Sequence, residues 1–420
     1  MSTTHHAISP RGSPAVLFFS ALLALAPFAA AAAEPFLEKA DLFKAGDYGF
    51  KVFHIPGVVV TAKGTVLAWC EARKKGGDWD DIRILLRRSV DDGRTWSAAQ
   101  SVADVPGPRI KNPLALRLRG IDTNDVTCNN PVLIGDRSGA VHMVFCLEYM
   151  RCFYQRSDDD GLTWSHPVEI TGVFEAFRQQ YNWKVLATGP NHGIQVRSGR
   201  LIVPVWLSIG TGSNAHHPSL TATIYSDDLG KTWQAGEIAV PNTDEWINPN
   251  EAVALELADG RVMLNVRNES TPNRRLVTTS KDGAKNWSAP KFDEALFEPV
   301  CMAGLVRYST QASSGRNRIL FSNPHNLSRA DGKERPGGAR DRKNLSLKLS
   351  YDEGQTWPVS KSIEPGLSAY SDLAVTRRGI ILCFYGRRAT DSGANSFAGN
   401  SLTLARCNLE WLTDGRDSAD

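Results

Sequence analysis

Ser89-Val90-Asp91-Asp92-Gly93-Arg94-Thr95-Trp96 decides the fold, because the chain repeats it. The pattern S-x-D-x-G-x-T-W returns from Ser157 to Trp164, from Ser226 to Trp233 and from Ser350 to Trp357, with a degenerate copy from Ser280 to Trp287. Copies begin about 55 to 70 residues apart, and a sustained long period marks a repeat fold. Each follows an apolar run, such as Ile84-Leu85-Leu86 or Leu345 to Leu349, which places it where a strand ends and a hairpin turns. Asp and Ser side chains bond nearby backbone N–H groups, Gly takes a positive φ at no steric cost, and Trp packs back over the turn. The motif therefore reads as scaffolding, its Asp already committed to its own backbone. In the fourth copy Asn286 replaces Thr and the Gly moves one place to Gly283, yet Asp282 and Trp287 persist.

A unit of this length with short strands and hairpin turns fits a four-stranded propeller blade better than a solenoid coil. The prediction is an all-β, six-bladed β-propeller. Six blades need roughly 360 to 390 residues, which is what remains once the N-terminus is set aside. Residues 15 to 33 run from Ala15-Val16-Leu17-Phe18-Phe19 through an alanine-rich stretch to Ala31-Ala32-Ala33, behind a segment with Arg11. This reads as a secretory signal over residues 1–33, with small residues at the cut, leaving 34–420 as one propeller domain that is secreted or periplasmic. A transmembrane anchor is the rival reading, but Pro27 interrupts a run barely long enough to span, and no membrane span is expected after cleavage.

Seven cysteines are odd in number and scattered, and Cys70, Cys146 and Cys383 lie inside apolar runs, so buried free thiols are expected. Cys146 and Cys152 are near enough to be bridged across a hairpin. No spacing suits a zinc site. A net charge of +3 argues weakly for an anionic ligand; it does not argue for nucleic acid, because the basic residues form no stripe with interleaved aromatics. The densest run, Arg329 to Lys343, is mixed in sign, contains Pro336-Gly337-Gly338 and reads as a loop.

Between the turns lie more specific segments: Phe53-His54-Ile55-Pro56-Gly57, Thr188 to Gln195, Asn250-Glu251, Asn265 to Asn268, Asn344-Leu345-Ser346, Ser368 to Leu373 and Asn408 to Leu412. In order and spacing, from about residue 48 to 412, they resemble the exo-sialidases of bacteria and animals, a six-bladed propeller family with these Asp-box turns. The turns are shared with other propellers; the series Glu251, Arg267, Arg342 and Tyr370 is specific. The resemblance implies a retaining hydrolase of sialylated or other acidic glycans, working as a monomer with no metal or organic cofactor.

Chemistry asks for these residue types. A sialic acid carries a carboxylate on its anomeric carbon, and guanidinium forks hold such an anion bidentately. A carboxylate nucleophile would approach that carbon against like charge, whereas a neutral Tyr avoids the repulsion. A phenol is a poor nucleophile until a base accepts its proton. By the match Tyr370 is the nucleophile and Glu251, at a strand entrance, its base. Arg267, placed inside the otherwise apolar strand that begins Val262 to Val266, and Arg342, flanked by Arg340 and Lys343, bind the substrate carboxylate. The general acid lies in Gly76-Gly77-Asp78-Trp79-Asp80-Asp81; spacing from His54 favours Asp78, with Asp80 and Asp81 left open.

One departure stands out. Family members have Arg before Ile-Pro, where this chain has His54, and a Glu some fifteen residues past the Tyr, where it has Cys383-Phe384-Tyr385-Gly386. Loss of both halves of a pair suggests a rearranged pocket. If His54 contacts the carboxylate, its charged form should bind better; Arg73, Lys74, Lys75, Arg387 or Arg388 could supply further charge. A packed histidine without ligand contact is the plain alternative. Two other functions compete: hydrolysis of another terminal 2-keto-3-deoxy or uronic sugar acid, and binding of acidic glycans without cleavage.

Overall fold

The computed structural model describes residues 1–7, 33–105, 107, 109–117, 121–211, 214–333, 335–388 and 401–418. Residues 8–32 of the expected leader fall outside them. Glu34–Asp420 is one compact unit. Among the described residues, no helix is long and apolar enough to cross a membrane.

The unit is an all-β propeller. Each sheet repeats an antiparallel meander, for example Val52–Val60, Val66–Arg73, Ile82–Ser89 and Gln100–Ser101. Val66–Arg73 is buried along its whole length and lacks the polar alternation of a half-exposed strand. Its faces explain why. Leu67 and Trp69 join Leu133, Met143 and Phe145 of the next sheet, while Val66, Ala68, Cys70 and Ala72 join Leu382 and Phe384 of the sheet on the other side. A period of two thus sends successive residues into two different cores. Fully burying each Val, Leu, Met or Phe among them contributes about 1.5–3 kcal/mol.

Among the described residues, hydrogen bonding defines five sheets rather than six separate ones, with seven, five, five, four and four strands. The reason is the 17-residue strand Val359–Val375. Its first part pairs with Lys343–Ser350, and from Ser368 onward it pairs with Ile381–Arg387, so two meanders share a strand and merge. The merged sheet also carries the seam of the ring. Leu37–Lys44, at the start of the unit, pairs antiparallel with Ser401–Cys407, Leu37 lying opposite Cys407.

All five repeated turns sit as predicted. Ser89, Ser157, Ser226, Ser280 and Ser350 are each the last residue of a strand. In the first copy Asp91 accepts from the Thr95 N–H at 2.9 Å and the Thr95 hydroxyl at 2.7 Å, while Ser89 Oγ accepts from Gly93 N–H at 2.9 Å. Gly93 has φ 80, which a side chain would strain. In the fourth copy Asp282 still accepts from Ala284 and Lys285, so the shifted Gly leaves the cap intact.

At the centre of the ring, Asn191 donates to the carbonyls of Ala303 (3.0 Å) and Ser371 (2.9 Å). His192 Nδ1 lies 2.8 Å from Asp372 Oδ1, and Asp372 Oδ2 accepts from Val58 N–H at 2.9 Å. These bonds cross the axis and fix the inner strands against one another. The seven cysteines are free and buried; Cys146 and Cys152 face each other across a hairpin without a bond.

Candidate active site

Inner strands carry the chemistry at one end. Glu251 immediately precedes Ala252–Glu256, Arg267 immediately follows Val262–Val266, and Arg342 immediately precedes Lys343–Ser350. Arg267 is therefore past the end of the apolar strand rather than inside it, which frees its side chain to turn toward the axis. Its N–H donates to the Glu251 carbonyl at 2.8 Å, so one rung of the ladder sets both side chains side by side.

A cavity of about 320 Å³ opens here, and all six predicted site residues line it: His54, Asp78, Glu251, Arg267, Arg342 and Tyr370. Tyr370 is buried, and its hydroxyl lies 2.8 Å from each carboxylate oxygen of Glu251. Arg267 Nη1 donates to Tyr370 Oη at 2.5 Å and also to Glu251 Oε2. The Arg342 guanidinium stands 5.3 Å from the Tyr370 ring centre and donates Nη2 to the Val300 carbonyl at 2.6 Å. Burial pushes the Tyr370 hydroxyl well above the usual phenol range, against the pull of Arg267. A proton therefore stays on the oxygen until something next to it accepts it, and Glu251 is the carboxylate in contact.

Arg342 has no carboxylate partner among the described residues. Its charge is the one most available to an incoming anion. Arg340, the competing choice of register, instead donates to the carbonyls of Arg335 and Gly338 and to Asn273, and does not line the cavity. Among the described residues the predicted loop from Arg329 to Lys343 holds neither strand nor helix up to Arg342, but Lys343 already opens the strand Lys343–Ser350.

The acidic loop resolves in the same way. Asp80 is buried and turned inward, accepting from the N–H groups of Lys75, Gly76 and Asp81, so it caps its own loop. Asp81 lies 3.6 Å from Arg83 and away from the cavity. Asp78 reaches the mouth with its side chain 48% exposed and takes a bond from Arg73 Nη1 at 2.7 Å. Burial alone would raise the Asp78 carboxyl, but Arg73, with His216 and Arg267, holds it below the usual range.

Arg73 is the residue that sequence reasoning undervalued. Fully buried, it donates Nε and Nη2 to Glu71 Oε2 at 2.9 and 2.6 Å, while Glu71 Oε1 accepts from Asn130 N–H at 2.7 Å. Two charged residues in the otherwise apolar Val66–Arg73 were the available signal. Lys75 pairs with Asp125 and Arg387 with Asp41, outside the cavity. Tyr149 and Trp206 form an aromatic wall with His216 against it, ring centres 5.0 and 5.4 Å away. Asn214, His217, Asn250 and Glu269 also line the cavity; Asn250 belonged to the quoted Asn250-Glu251 segment, whereas the other three, lying in loops without periodicity, gave no signal.

His54 corrects one expectation. Its ring packs 4.5 Å from the Tyr370 ring, centre to centre, in the cavity wall. Burial, then the charges of Arg73, Arg342, Arg388 and Arg267, drives its pKa well below the ordinary imidazole value. The charged imidazolium expected to bind an anion is thus disfavoured, and His54 stands neutral at pH 7. The position expected to brace an arginine is occupied by Tyr385, whose hydroxyl donates to Glu364 at 3.2 Å.

Residues 116–383, more than half of the chain, match the family model of the BNR repeat-like domain. The chain belongs to the BNR repeat-like family. Among relatives of this BNR protein, the sialidase of Micromonospora viridifaciens is 32% identical over 90% of this chain and 55% of its own length, and that of Bacteroides fragilis is 28% identical over 74% and 55%. The chain thus spans about half the length of these curated relatives. A solved structure, the Hadza microbial sialidase Hz136, superposes with a TM-score of 0.68 at 24% identity, covering 89% of this chain and 69% of that one, and so shares the propeller fold.

Proposed function

We propose that this BNR protein is a retaining exo-glycosidase that releases a terminal sugar acid, sialic acid first among candidates, through a tyrosyl-enzyme intermediate. The observation that carries the reading is the Tyr370 hydroxyl bonded to both oxygens of Glu251, with Arg267 on the same atom and Arg342 over the same ring. A buried Tyr–Glu pair next to guanidiniums suits covalent attack at a carbon that bears a carboxylate. Arg342 and Arg267 take up the substrate carboxylate. Tyr370 Oη attacks the anomeric carbon as its proton passes to Glu251, and Asp78 protonates the departing oxygen. Water, giving a proton to Asp78, then attacks the anomeric carbon and breaks its ketal bond to Tyr370 Oη, while Glu251 returns its proton to the phenol, restoring the first configuration.

Asp78 must hold a proton to act as acid, while its bond to Arg73 favours the ionised form. Substrate entry has to weaken that bond, by bringing in an anion and expelling water. We read the seven-stranded sheet as two blades that share a strand, and six blades are the count proposed on that reading. Residues 1–33 serve as an export signal in this reading, so the enzyme acts outside the cytoplasm as a monomer.

His54 in place of arginine supports a second reading with the same mechanism and another 2-keto-3-deoxy or uronic sugar acid as substrate. Simple glycan binding has less support, because a lectin needs no nucleophile and base. The test is incubation with aryl glycosides of sialic acid and of other keto sugar acids, following the first-formed anomer by NMR. Release with retention is expected. Inversion overturns the tyrosyl path, and no release from any acid overturns the enzyme reading.

A further inference from the structure

One wall of the cavity is built from residues that the proposed chemistry leaves unused. Asn214 Oδ1 accepts from the His216 N–H at 3.0 Å, which fixes the amide so that its Nδ2 donates to His217 Nδ1 at 2.9 Å. That nitrogen must then be the acceptor of the ring, so the proton sits on Nε2, which lies 3.2 Å from Glu269 Oε1. Asn248 Nδ2 donates to Glu269 Oε2 at 3.1 Å. The four residues form one continuous chain of hydrogen bonds. It ties the segment after Leu201–Ser208 to the segment after Val262–Val266, so adjacent sheets are clasped at the rim.

Depth separates this wall from the reacting groups. The side chains of His217 and Glu269 are 25% and 24% exposed, whereas those of Glu251 and Arg267 are 8% and 14% exposed. Asn214 is exposed and Asp78 sits at the mouth as well. An exo-acting enzyme buries the terminal sugar against Tyr370, so the other side of the bond that breaks must lie along this rim. Each Glu269 oxygen has accepted one protein donor and keeps a lone pair for another. Burial alone would raise the Glu269 carboxyl, but His217, Asn248 and Arg267 hold it below the usual range, leaving a charged acceptor at neutral pH. Hydroxyl donors suit such a wall. A second anion does not.

Resting on the glycosidase reading above, we propose that Asn214, His217 and Glu269, which line the cavity, form the recognition site for the leaving group, selecting a neutral, hydroxyl-bearing sugar over an aryl or anionic one, with Asn248 outside the lining holding the Glu269 carboxylate in place. Charge-assisted bonds to Glu269 orient that sugar so that its bridging oxygen faces Asp78.

Two substrates of the same sugar acid test this, one linked to lactose and one to a phenol, together with a lactose-linked version sulfated on the leaving sugar. Glu269→Gln should lower kcat/KM on the lactose-linked substrate about tenfold more than on the phenol-linked one, the size expected for a lost charge-assisted bond. It should also narrow the gap by which the wild type disfavours the sulfated substrate. If Glu269→Gln melts early, Asn214→Ala, at an exposed position, replaces it with the same expected ordering. Equal losses on both substrates, in a background where the wild type cleaves both, overturn this proposal alone. A wild type that cleaves neither removes the glycosidase reading itself.

Discussion

The repeated turns and the cavity handle charge in opposite ways. Each turn satisfies its Asp within eight residues: Asp159 takes bonds from Ser157 and Thr163, hydroxyls and N–H alike. In the cavity, Glu251 meets Tyr370 across 119 positions of sequence and Arg267 meets the same tyrosine across 103. Local satisfaction makes a motif that can be copied down a chain. Assembly from distant strands makes a site where charges press on one another and stay available to a ligand.

That contrast breaks most visibly at Tyr370. Tyr370→Phe removes one oxygen from the cavity and should abolish most turnover, by orders of magnitude in kcat, while the melting temperature stays close to wild type. Unchanged kcat on a substrate of the wild type would show that the cavity does not use this residue.

A smaller effect sharpens the electrostatic side. His54→Arg adds a guanidinium where burial and the charges of Arg73, Arg342, Arg388 and Arg267 already hold an imidazole neutral. A loss of about 3 kcal/mol or more in stability is expected, partly recovered when a sugar acid is bound, as denaturant unfolding can measure. The sign of the wild-type pH dependence follows. Because the folded pKa of His54 is depressed, the unfolded chain binds the proton first, so this residue subtracts stability as pH falls below about 6.5. An arginine variant as stable as wild type would remove the picture of a crowded positive wall.

The smallest effect belongs to the turns. Asp159→Asn should cost about 1–2 kcal/mol in stability and leave turnover alone, since its partners lie in its own hairpin. Hydrogen bonds from Thr163 hold the Asp159 carboxyl down to about 2. Its contribution is present above the unfolded carboxylate value near 4 and is lost as pH falls toward 2. The Asn variant should therefore show a flatter acid limb in thermal melts recorded between pH 2 and 5. Turnover falling along with stability would mean that turn and cavity are coupled.

Legibility in the sequence followed the same divide. The turns were readable because Ser, Asp, Gly and Thr contact one another at fixed short offsets. Tyr370, Glu251 and the two arginines were readable through family resemblance, and the structure supplied the contacts among them. Asp78 could be separated from Asp80 only by seeing which carboxylate faces its own backbone. Glu71 and Arg73 were visible as charges in an apolar strand, yet their pairing with Asn130 and Asp78 depends on how two sheets meet. Asn214, His217 and Glu269 carried no pattern, since loop residues are placed by the strands that hold them. The shared strand Val359–Val375 was hidden too, because nothing in its composition marks the point at which it changes neighbours.

The seam has a consequence for how the molecule comes into being. Among the described residues Leu37–Lys44 pairs with Ser401–Cys407 alone, so the earliest strand of the propeller waits unpaired while some 360 residues follow, a separation counted on the loop-closure scale. Synthesis can build the intervening meanders one by one, each from near neighbours. Closure is the final act: the newest strand arrives beside the oldest, and only then does the Tyr370 strand gain a complete sheet behind it.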